Sequence, residues 1–227
     1  MPRLADTTRS ARRAQIVAAA VRRFARAGYH ATTMADVAAE AGVSKGTPYL
    51  YFPSKQALFL ALHDEWDCGL ADRVDASLDA LPEHERRSPR RVLHTVATTV
   101  GAHVVDQPDT CRVLMEARTL AAYHPEIATA VRASDTRTHE QLEDLFRAGI
   151  AAGEWPGTTD PALAARLFTA TLYGLMAEWH LDPHSISWRA VAAALTSTRD
   201  CVASGVFGPT PYAGLRSGGM GTESDGL

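Results

Sequence analysis

Residues Thr32 to Lys55 read TTMADVAAEAGVSKGTPYLYFPSK, and the fold is decided by how this stretch is read. Met34, Val37, Ala38 and Ala41 stand at i, i+3, i+4 and i+7, which is one apolar face of a helix. Thr33 precedes that face and Asp36 follows three residues on, a hydroxyl-to-acid variant of the box that closes free N–H groups at a helix start. Gly42 comes just after the last apolar position, where a left-handed residue stops a helix and turns the chain. Ser44 offers a second N-cap, and Tyr49, Leu50, Tyr51 and Phe52 supply a compact aromatic second helix. A helix, a glycine turn and a second helix are the parts of a helix-turn-helix, whose second helix lies in the DNA major groove. Lys45, Gly46, Thr47 and Pro48 open that second helix, the part that meets base edges. Lys45 suits guanine acceptors, Thr47 or Pro48 suits a thymine methyl, and Gly46 lets the backbone come close. Thr33, at a helix N-terminus, suits a phosphate or serves as a plain cap. Pro48 allows two registers. With Ser44 as N-cap it forfeits an internal hydrogen bond; with Thr47 as N-cap it takes the favoured first position of a very short helix.

The runs Thr32 to Ala38 and Gly42 to Phe52, followed by Ser54, Lys55 and Leu58, resemble the DNA-binding domain of TetR/AcrR-type transcriptional regulators. With the helix before it, the resemblance covers about the first quarter of the chain; beyond it, helical layout and pieces such as His124-Pro125-Glu126 are similar. Pro48 departs from the leucine more common in the family. The resemblance implies that Tyr49, Tyr51 and Lys55 hold phosphates, Tyr49 before Tyr51, since one tyrosine is open to a core role. The expected DNA contacts are therefore Thr33, Ser44, Lys45, Gly46, Thr47, Pro48, Tyr49, Tyr51 and Lys55.

Working outward, 227 residues suffice for one large domain, or a small one and a larger one. Hydrophobic residues at 46% and charged residues at 22% are ordinary for a globular protein, which argues against disorder. No apolar run approaches the roughly 18 residues of a membrane helix, and the N-terminus lacks a signal peptide's apolar core. Cys68, Cys111 and Cys201 are scattered without CxxC spacing and read as free thiols of a reducing cytoplasm. Charge is unevenly spread. Residues 1–55 carry nine Lys and Arg against three acids, while the remainder carries 14 basic and 23 acidic residues. A basic head on an acidic body suits a phosphate-binding module, although arginine-rich solvated faces are common.

In chain order, residues 1–8 are expected to be a flexible arm and 9–53 the DNA-binding domain. Its first helix, to Gly28, carries Ile16, Ala20, Phe24 and Ala27 on one face and Arg12, Arg13, Arg22, Arg23 and Arg26 on the other, the leading arginines within reach of a DNA backbone. Residues 54–205 are expected to form an all-α body. It starts with a long helix from Ser54, striped by Leu58, Leu62, Trp66, Leu70, Val74 and Leu78. Residues 83–89 read as a loop, and further helices as 90–105, 109–122, 125–152, 161–181 and 187–204. The glycine-rich tail 206–227 is expected to be disordered.

The resemblance further implies a homodimer and a small-molecule effector held inside the body. Expected lining residues are Leu62, Trp66, His94, Ala97, Val100, Gly101, Val104, Met115, Arg118, Phe146, Tyr173 and Met176, with Gly101 leaving space and His94, Arg118 and Tyr173 orienting the ligand. Leu167, Thr171, Gly174, Leu195, Thr198 and Val202 are expected at a four-helix dimer seam, or in ordinary intrachain packing. No catalytic motif, cofactor fingerprint or metal-binding spacing occurs; His180 and His184 are separated by the helix-breaking Pro183. The leading expectation is a ligand-responsive regulator, in such families most often a repressor, released from a palindromic operator. A helical small-molecule-binding protein without specific DNA recognition, and an all-α enzyme, remain as alternatives.

Overall fold

The computed structural model describes residues 3–197. These residues form only helices and turns: α1 (Arg3–Ala31), α2 (Met34–Glu40), a 3₁₀ turn (Thr47–Leu50), α3 (Lys55–Asp79), α4 (Glu83–Arg86), α5 (Pro89–Asp106), α6 (Pro108–Leu120), α7 (Pro125–Ala151), α8 (Pro161–Leu181) and α9 (Trp188–Ser197). Helix α1 begins at Arg3, so residues 3–8 continue the helix where a flexible arm was expected. Its regular part ends at Gly28, whose φ of 76° lies in the left-handed region that favours glycine. The charged stretch 83–89, expected as a loop, holds the single turn α4. Pro82 opens it, Glu83 and Glu85 sit favourably near its positive end, and the Arg86 N–H donates back to the Pro82 carbonyl at 3.1 Å. The tail 206–227, Thr198, Cys201 and Val202 lie outside the described residues.

Proline sets the starts of the body helices. Pro89, Pro108, Pro125 and Pro161 each stand in a first turn, where the missing N–H costs nothing and the fixed φ is already helical. Side chains close several of these ends: Ser54 Oγ accepts from Ala57 N at 3.0 Å, and Asp160 Oδ1 from Ala162 N at 3.0 Å.

Two apolar cores follow. The first joins Ile16, Ala20 and Phe24 of α1, Met34 and Val37 of α2, and Leu58 and Phe59 of α3. Ala27, expected in this core, is exposed, and Val17 and Ala19 are buried instead. The core continues without a break into Val113, Ala117 and Leu120 of α6 and Ile127 and Val131 of α7. The second core is built around α5, which packs on α3, α7 and α9, and contains Trp66, Leu93, Phe146, Phe168 and Trp188. The apolar stripe of α3 is buried at Leu58, Leu62 and Trp66 but only half-buried at Leu70, Val74 and Leu78. Burying a large apolar side chain contributes about 1.5–3 kcal/mol, whereas exposed ion pairs such as Arg22–Glu40 contribute about 0–1 kcal/mol. Packing therefore sets the orientation of the head, and the ion pairs trim it.

Candidate functional site

The turn between α2 and the 3₁₀ element follows from local chemistry. Thr33 Oγ1 accepts from Asp36 N at 3.1 Å, and Asp36 Oδ2 accepts from Thr33 N at 2.9 Å, which closes the start of α2. The Thr33 hydroxyl and N–H, donating to Asp36 Oδ2 at 2.7 and 2.9 Å, hold the Asp36 carboxyl below its ordinary range. Gly42, at φ 65°, turns the chain out of α2. The second element is one 3₁₀ turn with Gly46 as its N-cap, so neither Ser44 nor Thr47 caps a longer helix. Ser44 Oγ instead bonds Thr47 Oγ1 at 2.8 Å, and the Pro48 carbonyl accepts from Tyr51 N and Phe52 N at 3.1 and 2.9 Å. Pro48, expected at a thymine methyl, is buried. Its ring faces inward because the tight turn brings it under the chain.

The exposed edge comprises Ser44, Lys45, Gly46, Tyr49 and Leu50, with Thr47 half-buried beside them. Lys45 makes no hydrogen bond or ion pair among the described residues. Tyr51 is half-buried against the first core, whereas Tyr49 is 54% exposed. Leu50, at 75% exposure, did not stand out in the sequence, where it read as part of an apolar cluster. Only the tightness of the turn, signalled by Pro48, points it outward.

Lys55 is turned the other way. Its Nζ donates to the carbonyls of Tyr29 at 2.7 Å and Thr32 at 2.9 Å and lies 4.3 Å from the centre of the Tyr29 ring. Desolvation holds its pKa below the ordinary lysine value, and Glu116 partly restores it. The ammonium thus closes carbonyls at and just beyond the end of α1 instead of facing outward with Lys45. The arginine face of α1 is likewise engaged: Arg22 and Arg26 pair with Glu40 at 2.8 and 2.7 Å, and Arg13 pairs with Glu65.

Head and body meet at the Gly28 break. The Tyr29 N–H released there donates to both carboxylate oxygens of Glu116 on α6, at 2.9 and 3.2 Å. Gln56 of α3 reaches Glu126 of α7 at 2.7 Å.

Two openings lie between these layers. The larger, an open cleft of about 500 Å³, runs between α1 and the body and is lined by Val17, Ala18, Leu62, Trp66 and His103. The smaller, of about 40 Å³, lies among α3, α6, α7 and α8, with Trp66, Met115, Arg118, Tyr173 and Met176 in its walls. There the Arg118 guanidinium lies 3.7 Å above the Tyr173 ring and forks onto Asp135 at 2.6 and 3.1 Å. His94, Ala97, Gly101 and Phe146, expected to line a ligand, border neither opening. Gly101 leaves no space: a Cβ there would come within 2.5 Å of Trp188 Cβ, because α9 packs directly on its backbone. Phe146 is buried with its ring 4.9 Å from Trp155. Ala97 lies in the second core, and burial together with Arg91 and Arg189 lowers the His94 pKa. Val100 and Val104 also belong to that core.

On α8, Leu163 and Leu181 are 53% and 88% exposed, Gly174 faces open space, and Leu167 and Thr171 are half-buried. Leu195 is half-buried against the second core. Cys111 is buried, which pushes its thiol up to about 12, and Cys68 is exposed. Both ring nitrogens of His180 face backbone carbonyls, of Met176 at 2.7 Å and Pro108 at 3.1 Å. Among the described residues no three metal-ligating side chains converge, and no helix is long and apolar enough to cross a membrane.

Known proteins resemble the chain in both its head and its body. Residues 16–62 match the family described as bacterial regulatory proteins, tetR family, and residues 89–202 match the C-terminal domain of BetI-type transcriptional repressors. The probable HTH-type transcriptional regulator ArpR of Pseudomonas putida is 28% identical over 177 residues, which cover 77% of this chain and 82% of that one. The HTH-type transcriptional regulator TtgR of Pseudomonas putida is also 28% identical, with the same coverage. Among solved structures, the transcriptional regulator FadR of Bacillus subtilis in complex with stearoyl-CoA superposes with a TM-score of 0.71 at 22% identity, covering 83% of this chain and 97% of that one.

Proposed function

Because the chain belongs to the tetR family of bacterial regulatory proteins, we propose that it acts as a homodimeric repressor, released from a palindromic operator by a small molecule. The observation that carries this reading is the exposed edge Ser44 to Leu50. It presents an unpaired lysine, a side-chain-free backbone and two exposed side chains, Tyr49 and Leu50, on a tight turn backed by a rigid core. Lys45 then reads guanine, Leu50 takes over the thymine-methyl contact expected of Thr47 or Pro48, and Tyr49 reaches a phosphate. Thr33 supports a phosphate through the start of α2, and Ser44, Gly46 and Thr47 shape the edge. Lys55 and Tyr51 act behind it by holding the head together. The exposed face of α8 supplies the partner surface, through Leu163, Leu167, Thr171 and Gly174, and the protein works in the cytoplasm.

An effector controls such a protein only through differential affinity for two arrangements of the head. The inner opening around Arg118 has room for a water molecule or two, so an effector entering there must first open it. The FadR structure, a likeness in fold, contains stearoyl-CoA; an effector of that size requires a far larger space than this chain shows beside Arg118.

The reading is tested by selecting bound duplexes from a random DNA pool and titrating the winner at several salt concentrations. Recovery of a palindrome, with affinity falling steeply as salt rises, is the expected result. Weak, sequence-blind binding with nothing enriched would sink it. The helical binding protein without specific DNA recognition would then take its place.

A further inference from the structure

Within the cleft between α1 and the body lies a side chain whose presence packing does not explain. His103 on α5 is 2% exposed, and neither of its ring nitrogens has a hydrogen-bond partner among the described residues. Its ring packs on Trp66 with centroids 4.2 Å apart. A buried imidazole with both nitrogens unsatisfied costs stability that a phenyl ring of similar shape would not. This one borders a cleft of about 500 Å³, within the roughly 300–1,000 Å³ typical of small-molecule sites. The facing wall is the apolar side of α1, through Val17, Ala18 and Val21. Two charged groups at the rim, Arg22 and Glu65, are already paired, with Glu40 and Arg13.

We propose that this cleft is a ligand site between head and body, taking a flat, uncharged aromatic molecule that stacks along Trp66 and hydrogen-bonds His103 through a single hydroxyl group. The inference rests on the chain being a ligand-responsive regulator and assigns that response a place outside the Arg118 cavity. An uncharged ligand follows from the walls, which are apolar apart from His103 and the uncharged Gln107 and Thr110, and whose charged groups Arg22 and Glu65 are already paired. A hydroxyl follows from the imidazole: burial, with Arg73, holds its pKa below the ordinary value, so at neutral pH it presents one donor and one acceptor. A hydroxyl meets either once the ring turns about its Cα–Cβ bond, since both nitrogens are closed to solvent in this arrangement. Because one wall is α1 and the other is α3 and α5, an occupant touches head and body at once and biases their relative position directly.

The test titrates the full-length protein with 2-naphthol and, in parallel, with 2-methylnaphthalene, which lacks the hydroxyl. Saturable binding of 2-naphthol is expected. His103→Phe weakens it about tenfold and leaves 2-methylnaphthalene unaffected. The same substitution raises the ligand-free Tm by about 2–4 °C, which separates a lost contact from a damaged fold. Ala18→Trp, at an exposed position on the facing wall, fills the cleft and abolishes binding of both probes. Affinity for 2-naphthol unchanged in both variants overturns the proposal, as does an absence of saturation up to about 1 mM. Loss through Tyr173→Phe in place of His103→Phe puts the probe in the inner cavity and also overturns it. The DNA selection is independent. An operator bound by a protein whose probe affinity ignores His103 removes this site alone; His103-dependent binding without any operator removes the regulator reading and leaves the site.

Discussion

Lys45 and Lys55 are alike as residues and opposite in use. Lys45 stands free on the exposed edge, so Lys45→Ala should leave stability within about 0.5 kcal/mol while shifting the preferred sequence in a repeated DNA selection. Equal loss on selected and random duplexes would count against a base-reading role. Lys55 holds the Tyr29 and Thr32 carbonyls, so Lys55→Met should lower the unfolding free energy in urea by about 1–3 kcal/mol. A DNA defect with unchanged stability would return it to the phosphate-contact role. Asp36 gives a third check. Its folded pKa is depressed, so its contribution is complete above the ordinary value of 3.8 and is lost as pH falls through the lower folded value. Across about pH 5 to pH 2, Asp36→Asn should flatten part of the acid decline in Tm, and an identical decline in both proteins would contradict the assignment. Residue chemistry at these positions was legible in the sequence. The Thr33–Asp36 box was legible too; the inward turn of Lys55 was not, because it depends on carbonyls contributed 26 and 23 residues earlier in the chain.

At the scale of elements, sequence punctuation worked where proline or glycine stood at a boundary. Pro89, Pro108, Pro125 and Pro161 mark four helix starts, and Gly28 and Gly42 mark two stops. It failed where both outcomes carry the same composition: Glu83 to Arg86 is as charged in a helical turn as in a loop. The reading of Gly101 failed for a different reason. A glycine facing a core signals space or close approach, and only the position of α9 decides between them. Here Trp188 occupies the position. Gly101→Ala should therefore cost about 1–3 kcal/mol through overpacking, and Trp188→Ala in the same chain should recover part of that loss in a double-mutant cycle. Additive costs would mean that the two do not touch. The 3₁₀ turn was half legible, since Pro48 signalled a short element but not that its own ring would be buried.

For the molecule as a whole, the layout of a helical head and helical body was legible, and the seam between them was not. Chain order suggests a division near Pro53, but Glu116 on α6 receives the Tyr29 N–H, and the first core runs from α1 into α6 and α7. Glu116→Ala should raise the hydrogen-exchange rate of the Tyr29 amide about tenfold or more, and unchanged protection would show that the carboxylate does not hold the junction. The openings have the same origin: both lie between helices distant in sequence, so no local pattern announces them. The shared core also bears on how parts of this protein can be exchanged with those of its relatives. A hybrid spliced at Pro53 would set Ile16 and Phe24 of one parent against Phe59, Val113, Leu120 and Ile127 of another, two half-interfaces shaped separately. Transplanting the head with new operator specificity requires carrying the inner faces of α6 and α7 along with it, so the transferable unit is discontinuous in the chain.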